Sequence, residues 1–225
     1  MKTVVFDFDG TVVRGDSFGR FIASLVVRNP LRFLAAVAVV PVGGPLLLLF
    51  PTLGGSLFLW VATVAMSRAR LESEFQRFVR ERFVDRENLY TEAMLAIERH
   101  LRAGDVVWVA SGCESALLQP VCTCIGIDRS KVVGSTTRKW FGGMVSERHC
   151  VGANKVEMLK ERTRSNEYDH VYTDSALDLP LTQCAKQVTL VNAKSDVVRR
   201  ARARSAAVVE VVRWESRCSL RRNGG

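Results

Sequence analysis

The chain has 225 residues, of which 48% are hydrophobic and 24% are charged, and this composition excludes an intrinsically disordered protein. Its length suits one large domain or a core domain with an inserted cap. The formal net charge of +9 favours an anionic partner, such as a membrane surface or a phosphorylated substrate. Because the sequence has no aromatic-studded nucleic-acid motif, we expect no nucleic-acid partner.

The cysteines indicate a reducing compartment. None forms a Cys-x-x-Cys pair or lies at zinc-ligand spacing from a histidine, so we expect reduced, mostly buried thiols. They are Cys113, Cys122, Cys124, Cys150, Cys184 and Cys218. Only four uncharged residues separate Lys2 from Asp7, so we expect no signal peptide.

A predicted apolar strand at 4–6 is followed by two aspartates and a turn. Asp7 and Asp9 follow the strand directly, and Gly10 and Thr11 form the turn. Because side chains alternate along a strand, the two aspartates project to the same side. A divalent cation relieves the repulsion between two crowded carboxylates, and one can then act as a nucleophile while the other transfers protons. An Asp-Gly turn without chemistry is the alternative interpretation.

The next feature is an apolar segment without a charged residue from Phe33 to Ser67. Proline and glycine interrupt it repeatedly, so we expect each unbroken arm to be too short to cross a bilayer, which needs about 20 residues. Arginines flank both sides, which favours both ends staying cytoplasmic. We predict a helical hairpin that dips into the membrane. A cap buried against its own core, or a dimer interface, is the alternative.

The rest of the chain alternates helical and strand patterns. Helices are predicted over 69–101, over 114–124, where Pro120 interrupts or ends the helix, and over 154–162, where Asn154 is the expected N-cap. Strands are predicted over 105–110, which is buried, and over 131–134, 170–173 and 187–192. A turn is predicted at 142–143. Residues 207–214 form a last strand or extend a helix, and the chain then ends in an arginine-rich tail. The alternation predicts an α/β fold with a doubly wound parallel sheet.

Polar residues follow the predicted strands, where ligands of parallel sheets bind. These are Asp7 and Asp9, Ser111, and Asp174 with Asp178. Lys155 lies in the first turn of its predicted helix, where the helix dipole disfavours a cation. A lysine there is well placed if an anion binds nearby.

The order, spacing and types of these residues resemble the haloacid dehalogenase-like superfamily of phosphohydrolases. The matching segments are Asp-Phe-Asp-Gly-Thr at 7–11, Val-Ala-Ser-Gly at 109–112, Lys155, and Thr-Asp-Ser-Ala-Leu-Asp at 173–178. The resemblance implies a Rossmann-like core of residues 1–13 and 102–225, with a strongly apolar helical cap at 14–101. Within this cap, the membrane-associating hairpin is expected at about 31–67.

The resemblance also implies a Mg²⁺-dependent phosphatase with defined residue roles. Asp7 is the expected nucleophile that forms an aspartyl-phosphate, and Asp9 is the expected proton donor and acceptor. The expected phosphate-binding residues are Thr11, Ser111, Gly112 and Lys155. The expected metal ligands are Asp7, Asp9 through its backbone carbonyl, and Asp174, with Asp178 in support. We expect His149 and His170 to be structural, because this mechanism needs no histidine.

Short segments in the cap and its flanks are similar to the phosphatidylglycerophosphatase C family. They lie at 15–21, 28–31, 69–71 and 150–152, the last followed by Lys155. This resemblance implies dephosphorylation of phosphatidylglycerophosphate to phosphatidylglycerol in phospholipid biosynthesis. It places the enzyme at the bacterial inner membrane with its core on the cytoplasmic side, and a cytoplasmic location is the alternative. The expected partners are an anionic phospholipid and the membrane surface, with no obligatory protein partner.

Several substrates stay open at this point. A soluble metabolite gives no reason for an uncharged run of 35 residues, whereas a lipid phosphatase must bring its pocket to the headgroup plane. Arg68 and Arg70 are candidate contacts to the substrate headgroup, and membrane flanking is their alternative role. The alternatives are a soluble phosphomonoester such as phosphoserine, another phospholipid such as phosphatidate or lysophosphatidate, and a non-catalytic membrane adaptor. Thr173-Asp174-Ser175 departs from the Gly-Asp-Gly typical of soluble phosphoserine phosphatases.

Overall fold

A computed structural model describes residues 1–83 and 88–215 of the chain. The end of the arginine-rich tail, with Arg217, Arg221 and Arg222, lies outside the described residues, as does Cys218. Of the described cysteines, Cys113, Cys122 and Cys150 are buried, as the sequence predicted for most of them.

A seven-stranded sheet forms the centre of the described structure. In chain order the strands are β1 (Thr3–Asp7), β2 (Val106–Glu114), β3 (Val132–Trp140), β4 (Gly143–Arg148), β5 (Tyr168–Thr173), β6 (Ala185–Val191) and β7 (Val208–Val212). Their spatial order is β4-β3-β2-β1-β5-β6-β7, and every neighbouring pair is parallel except the β3–β4 hairpin. The structure therefore confirms the predicted α/β fold with a mostly parallel, doubly wound sheet.

Nine α-helices accompany the sheet in the described residues. They are α1 (Ser17–Val27), α2 (Pro30–Leu49), α3 (Pro51–Thr63), α4 (Arg68–Phe83), α5 (Thr91–Arg102), α6 (Ser115–Cys124), α7 (Ala153–Thr163), α8 (Leu179–Thr182) and α9 (Ser195–Arg204). The first five lie between β1 and β2, in the region where the sequence predicted an insertion. The exact boundaries of that insertion, 14–101, stay a prediction.

Some boundaries differ from the sequence-based predictions. The single helix expected over 69–101 is two helices, α4 and α5, and residues 207–214 contain strand β7 rather than a helical extension. Helix α6 continues through Pro120, because Leu117 and Val121 on its buried face hold it against the core. Helix α7 starts at Ala153 after Gly152, so Asn154 is not its N-cap.

The apolar segment forms a helical hairpin, as predicted, but its first arm is longer than expected. Helix α2 runs unbroken for 20 residues through Pro41 and Pro45, with a mean hydropathy of 2.0. At 1.5 Å per residue it is about 30 Å long, so length and composition would let it cross a membrane. The prediction of short arms is therefore wrong for α2. Contact with α3 stabilises the helix despite the two prolines. The two helices approach each other closely where Gly54 meets the Leu47 backbone.

The second arm of the hairpin is docked on the sheet edge. The backbone N–H of Met144 on β4 donates to the Thr63 hydroxyl at 2.8 Å, and that of Ser146 donates to the Ser56 hydroxyl at 3.2 Å. The Trp60 indole also donates to the carbonyl of Trp140 at 3.0 Å. Helix α2 thus forms the outer layer, and only 11% of its apolar window is buried.

One hydrophobic core joins the inserted helices to the sheet. It contains Phe6 of β1 together with Phe21 of α1 and Phe75 and Phe78 of α4. Phe21 stacks on Phe75, with 4.5 Å between ring centroids. Because this core is shared, α1 is held firmly against the carboxyl end of β1, where the candidate site lies.

Candidate active site

Three charged side chains meet at the carboxyl end of the central strand. Asp7 ends β1, Lys155 lies in the first turn of α7, and Asp178 closes a short 3-10 turn after β5. The Lys155 Nζ donates to Asp7 Oδ1 at 2.7 Å and to Asp178 Oδ2 at 2.8 Å. The Thr173 hydroxyl donates to the same Asp178 oxygen at 2.8 Å. All three charged groups are buried, so the lysine compensates two carboxylates away from water.

The second aspartate of the N-terminal motif is held by two other elements. Asp9 Oδ1 accepts a hydrogen bond from the backbone N–H of Ser17 at 2.8 Å, and Oδ2 accepts one from the Ser111 hydroxyl at 3.3 Å. Ser17 is the first residue of α1, so the positive end of that helix dipole faces Asp9. The Ser111 hydroxyl also accepts a hydrogen bond from the Cys113 N–H at 3.0 Å, which fixes its direction.

A third carboxylate lies against the turn after β1. Asp174 follows β5 and is half-buried beside Gly10. A β-carbon on Gly10 would overlap the Asp174 carboxylate, and the φ of Gly10 is +81°. Only glycine combines this backbone angle with so close an approach. The Asp-Gly turn therefore brings Asp174 next to the two N-terminal aspartates.

Burial dominates the electrostatics of the site. It raises the pKa of Asp7 well above its ordinary value, against the opposing charge of Lys155. It also raises the pKa of Asp9, and it raises that of Asp174 to about 6. Burial by itself lowers the pKa of Lys155, but Asp7 and Asp178 outweigh it and raise that pKa. In this buried site the charged forms of the three acids are therefore disfavoured unless a cation lies beside them.

This donor set fits a hard divalent cation. Within residues 1–83 and 88–215, no three His, Cys, Asp or Glu side chains are arranged to hold a metal by themselves. Mg²⁺ does not need such a group, because it keeps several waters and binds through one or two carboxylates. Asp7 and Asp174, with the backbone carbonyl of Asp9, are the residues suited to hold it. The observation that supports this fit is the chemistry of the donors, because the Asp7 and Asp174 carboxylates line the same cavity beside the Gly10 turn.

A cavity of about 810 Å³ opens over these side chains. Most of the predicted site residues line one end of it, which we call the catalytic end. They are Asp7, Asp9, Ser111, Gly112, Lys155, Asp174 and Asp178, and Gly10 of the Asp-Gly turn lies among them. The other end lies between α1, α2 and α3 and is mainly apolar. The structure therefore brings the four sequence segments together around one cavity.

The profile of haloacid dehalogenase-like hydrolases matches residues 4–183, which include all of these side chains. The chain belongs to the haloacid dehalogenase-like hydrolase family. This membership confirms the predicted superfamily and the prediction that the protein is a hydrolytic enzyme.

Individual relatives of this hydrolase are distant. A protein of Streptomyces azureus, described as an inhibition of morphological differentiation protein, is 31% identical over 130 residues. The match covers 54% of this chain and 46% of the relative, so the chain spans less than half of that relative's length.

Solved structures share the fold of this hydrolase at low identity. A Bordetella pertussis protein of unknown function has a TM-score of 0.73 and 18% identity, covering 93% of this chain and 98% of its own. A substrate-bound phosphoserine phosphatase has a TM-score of 0.60 and 16% identity, covering 93% and 92%. A Francisella tularensis phosphoserine phosphohydrolase-like protein has a TM-score of 0.59 and 15% identity, covering 92% and 94%. At these identities the likeness establishes the fold alone.

Three predicted residues lie away from the cavity wall of this hydrolase. Thr11 is fully buried, and its hydroxyl finds no hydrogen-bond partner within the described part of the chain. Arg68 and Arg70 lie exposed at the start of α4 and are not among the lining residues. The structure thus gives no direct contact between the two arginines and the site, and their role stays a prediction.

The sequence analysis did not predict that Asp16 lines the cavity, and it predicted a structural role for His149. Asp16 caps α1 by accepting a hydrogen bond from Gly19 N–H at 2.8 Å, and it lines the cavity. The Asp-Ser pair before an apolar run was the available signal for this helix start. His149, expected to be structural, also lines the cavity, and burial lowers its pKa. His170 instead hydrogen-bonds Thr189 at 2.8 Å inside the sheet, away from the cavity.

Proposed function

We propose that this hydrolase is a Mg²⁺-dependent phosphatase that cleaves the phosphomonoester of a membrane lipid, with phosphatidylglycerophosphate as the leading substrate. The observation that carries the proposal is the juxtaposition of a buried Asp7–Lys155 pair and a long apolar wall in one cavity. The first feature supports phosphoryl transfer, and the second supports a substrate with an aliphatic body. The proposed location is the cytoplasmic face of a bacterial inner membrane.

The first chemical step uses Asp7 and Asp9. A carboxylate oxygen of Asp7 attacks phosphorus, the bond from phosphorus to the ester oxygen breaks, and an aspartyl-phosphate forms. Asp9 gives its proton to the leaving oxygen. Burial raises the pKa of Asp9, which supports a protonated donor at this position.

The second step restores the enzyme. Water attacks the phosphorus of the aspartyl-phosphate, Asp9 takes the proton from that water, and inorganic phosphate leaves as Asp7 is regenerated. Ser111 lines the cavity beside Asp9, and its hydroxyl can turn its one hydrogen from Asp9 to a phosphoryl oxygen. Lys155 holds Asp7 at 2.7 Å and offsets the negative charge that gathers during both steps.

A divalent cation would supply the remaining charge compensation. Mg²⁺ held by Asp7, Asp174 and the Asp9 carbonyl would offset repulsion between the aspartate nucleophile and the anionic ester. Asp178 would support this arrangement indirectly, because it orients Lys155 through a hydrogen bond of 2.8 Å.

The cavity wall favours a lipid over phosphoserine. Phosphoserine carries a carboxylate, and a buried carboxylate needs a cationic partner. Among the described lining residues, Lys155 is the only lysine or arginine, and Asp7 and Asp178 already engage it. The described lining also has no free cation for the internal phosphodiester of phosphatidylglycerophosphate, so the lead of that substrate rests on the sequence resemblance of the cap. Phosphatidate and lysophosphatidate lack this phosphodiester and belong in the same substrate panel.

The test is phosphate release from each of these lipids in detergent micelles, and from phosphoserine in buffer, with and without Mg²⁺. We expect the wild type to prefer a lipid and to lose activity when the metal is chelated. Asp7→Asn should lower kcat by at least about a thousandfold, because it removes the nucleophile at nearly constant volume.

The matched control is Asp169→Asn, an aspartate on β5 that pairs with exposed Lys186 and does not line the cavity. It should retain wild-type activity. Equal release by wild type and Asp7→Asn would refute the catalytic proposal, and a preference for phosphoserine would refute the lipid substrate.

A further inference from the structure

The apolar end of the cavity is built from side chains of three helices that take no part in the proposed chemical steps, although the first residue of α1 holds Asp9. We call it the apolar arm, and its walls are Phe18 and Ile22 of α1, Phe33 and Leu47 of α2, and Gly55 and Phe58 of α3. No Asp, Glu, Lys or Arg of α2 or α3 is among the described lining residues. The arm therefore provides no charged partner for a polar ligand. It is part of the same cavity as the catalytic end.

Gly55 is the residue that leaves the arm open on the α3 side. An added β-carbon at Gly55 would have no heavy atom within 4 Å, although the residue lines the cavity. Its neighbour Gly54 is different, because a β-carbon there would collide with the Leu47 backbone. A side chain at position 55 would thus extend into empty space of the arm, whereas one at 54 would push the two helices apart.

We infer that the apolar arm takes one alkyl chain of the substrate and that Gly55 sets how long a chain fits. This inference rests on the proposed phosphatase function and adds to it the residue that determines chain length. The cavity of about 810 Å³ is in the range that holds drug-sized ligands, well beyond what a phosphate group alone fills. The apolar part of the described lining lies between α1, α2 and α3, so an aliphatic chain would lie there when the phosphate is beside Asp7.

The expected signature is a dependence of kcat/KM on chain length. Burying one methylene favours binding by about threefold to fourfold, so the ratio of kcat/KM for dodecyl phosphate over butyl phosphate should be large in the wild type. Both esters are used below the concentration at which they form micelles. Gly55→Leu should lower this ratio at least tenfold, and Gly55→Ala should lower it less.

Gly44→Leu is the matched control. Gly44 lies in α2, an added β-carbon there also meets no heavy atom within 4 Å, and the residue does not line the cavity. It should keep the wild-type ratio. Thermal unfolding of each variant checks that the hairpin still folds, and replacing glycine within a helix favours the helix in both cases.

A non-hydrolysable ligand separates this inference from the proposed function. Calorimetry should show that dodecylphosphonate binds the wild type at least tenfold more tightly than Gly55→Leu, while Gly44→Leu matches the wild type. Equal chain-length ratios, or equal phosphonate binding, in wild type and Gly55→Leu would overturn the assignment of the arm and leave a phosphatase intact. Absence of phosphate release from every ester would instead overturn the proposed function, and phosphonate binding would still decide the role of Gly55.

Discussion

At the scale of single residues, the site depends on one buried lysine between two buried acids. Lys155 contacts Asp7 and Asp178 at 2.7 to 2.8 Å, and all three side chains are shielded from water. The positive charge of the lysine compensates the negative charge of the buried carboxylates. Loss of the lysine charge therefore leaves two carboxylates without a partner. The lysine therefore contributes to folding as well as to the proposed chemistry.

We predict that Lys155→Met lowers the free energy of unfolding by about 3–5 kcal/mol, because it leaves buried carboxylates uncompensated. Urea unfolding in the presence of a chelator measures this, since bound metal cannot then replace the missing charge. Lys160→Met, on the exposed side of the same helix, is the control and should change stability by less than about 0.5 kcal/mol. Equal midpoints for the two variants would show that the buried pair has no structural role.

The sequence predicted that these residues would lie together, and the reason is geometrical. Asp7 and Asp174 follow parallel strands, and the carboxyl ends of parallel strands meet at one edge of a sheet. Thr11 was harder to place, because the turn after β1 folds its side chain inward, where it is fully buried. Residues in turns do not follow the alternation that fixes the direction of strand side chains.

At the scale of elements, the helical hairpin decides the shape of the cavity. Helix α3 contacts β4 through side-chain hydroxyls and the Trp60 indole, and α2 packs on α3. Arg32 near the start of α2 donates to the carbonyl of Val64 at 3.4 Å and connects the two ends of the hairpin. The spacing of α2 and α3 therefore controls how wide the apolar arm is.

We predict that Gly54→Ala destabilises the protein by about 1–3 kcal/mol, because the new methyl group meets the Leu47 backbone, which cannot move aside cheaply. Gly44→Ala places the same methyl group in open space within α2 and should be neutral or stabilising by up to about 1 kcal/mol. Denaturant unfolding of both variants makes the comparison. A destabilised Gly44→Ala with an unchanged Gly54→Ala would contradict this hairpin packing.

At the scale of the whole molecule, the outer layer is apolar and the protein is basic. Leu31, Leu34 and Leu48 of α2 are 77%, 63% and 84% exposed, and the net charge is +9. These exposed apolar side chains on one helix support the proposed association with a membrane. Since α3 is docked on β4, we propose that α2 lies along a bilayer surface, with basic residues attracting anionic headgroups.

We predict that the protein co-sediments with vesicles containing anionic phospholipid, and that replacing Leu31, Leu34 and Leu48 with Gln lowers the partition coefficient at least about tenfold. The control replaces two exposed apolar residues elsewhere, Leu95 and Val208, with Gln. It should bind vesicles like the wild type. Recovery of the wild type in the supernatant would contradict membrane association and favour a soluble phosphomonoester substrate.

Residue order along the chain was enough to predict the family, the α/β sheet and the acids at its edge, because these depend on strand alternation, turn chemistry and motif spacing. It also located the apolar hairpin. Three features became visible only in the folded chain: α2 continues through Pro41 and Pro45, α3 docks on β4, and α1 brings Ser17 to Asp9. These features depend on contacts between residues distant in the chain, whose energies outweigh local propensity and cannot be read from periodicity.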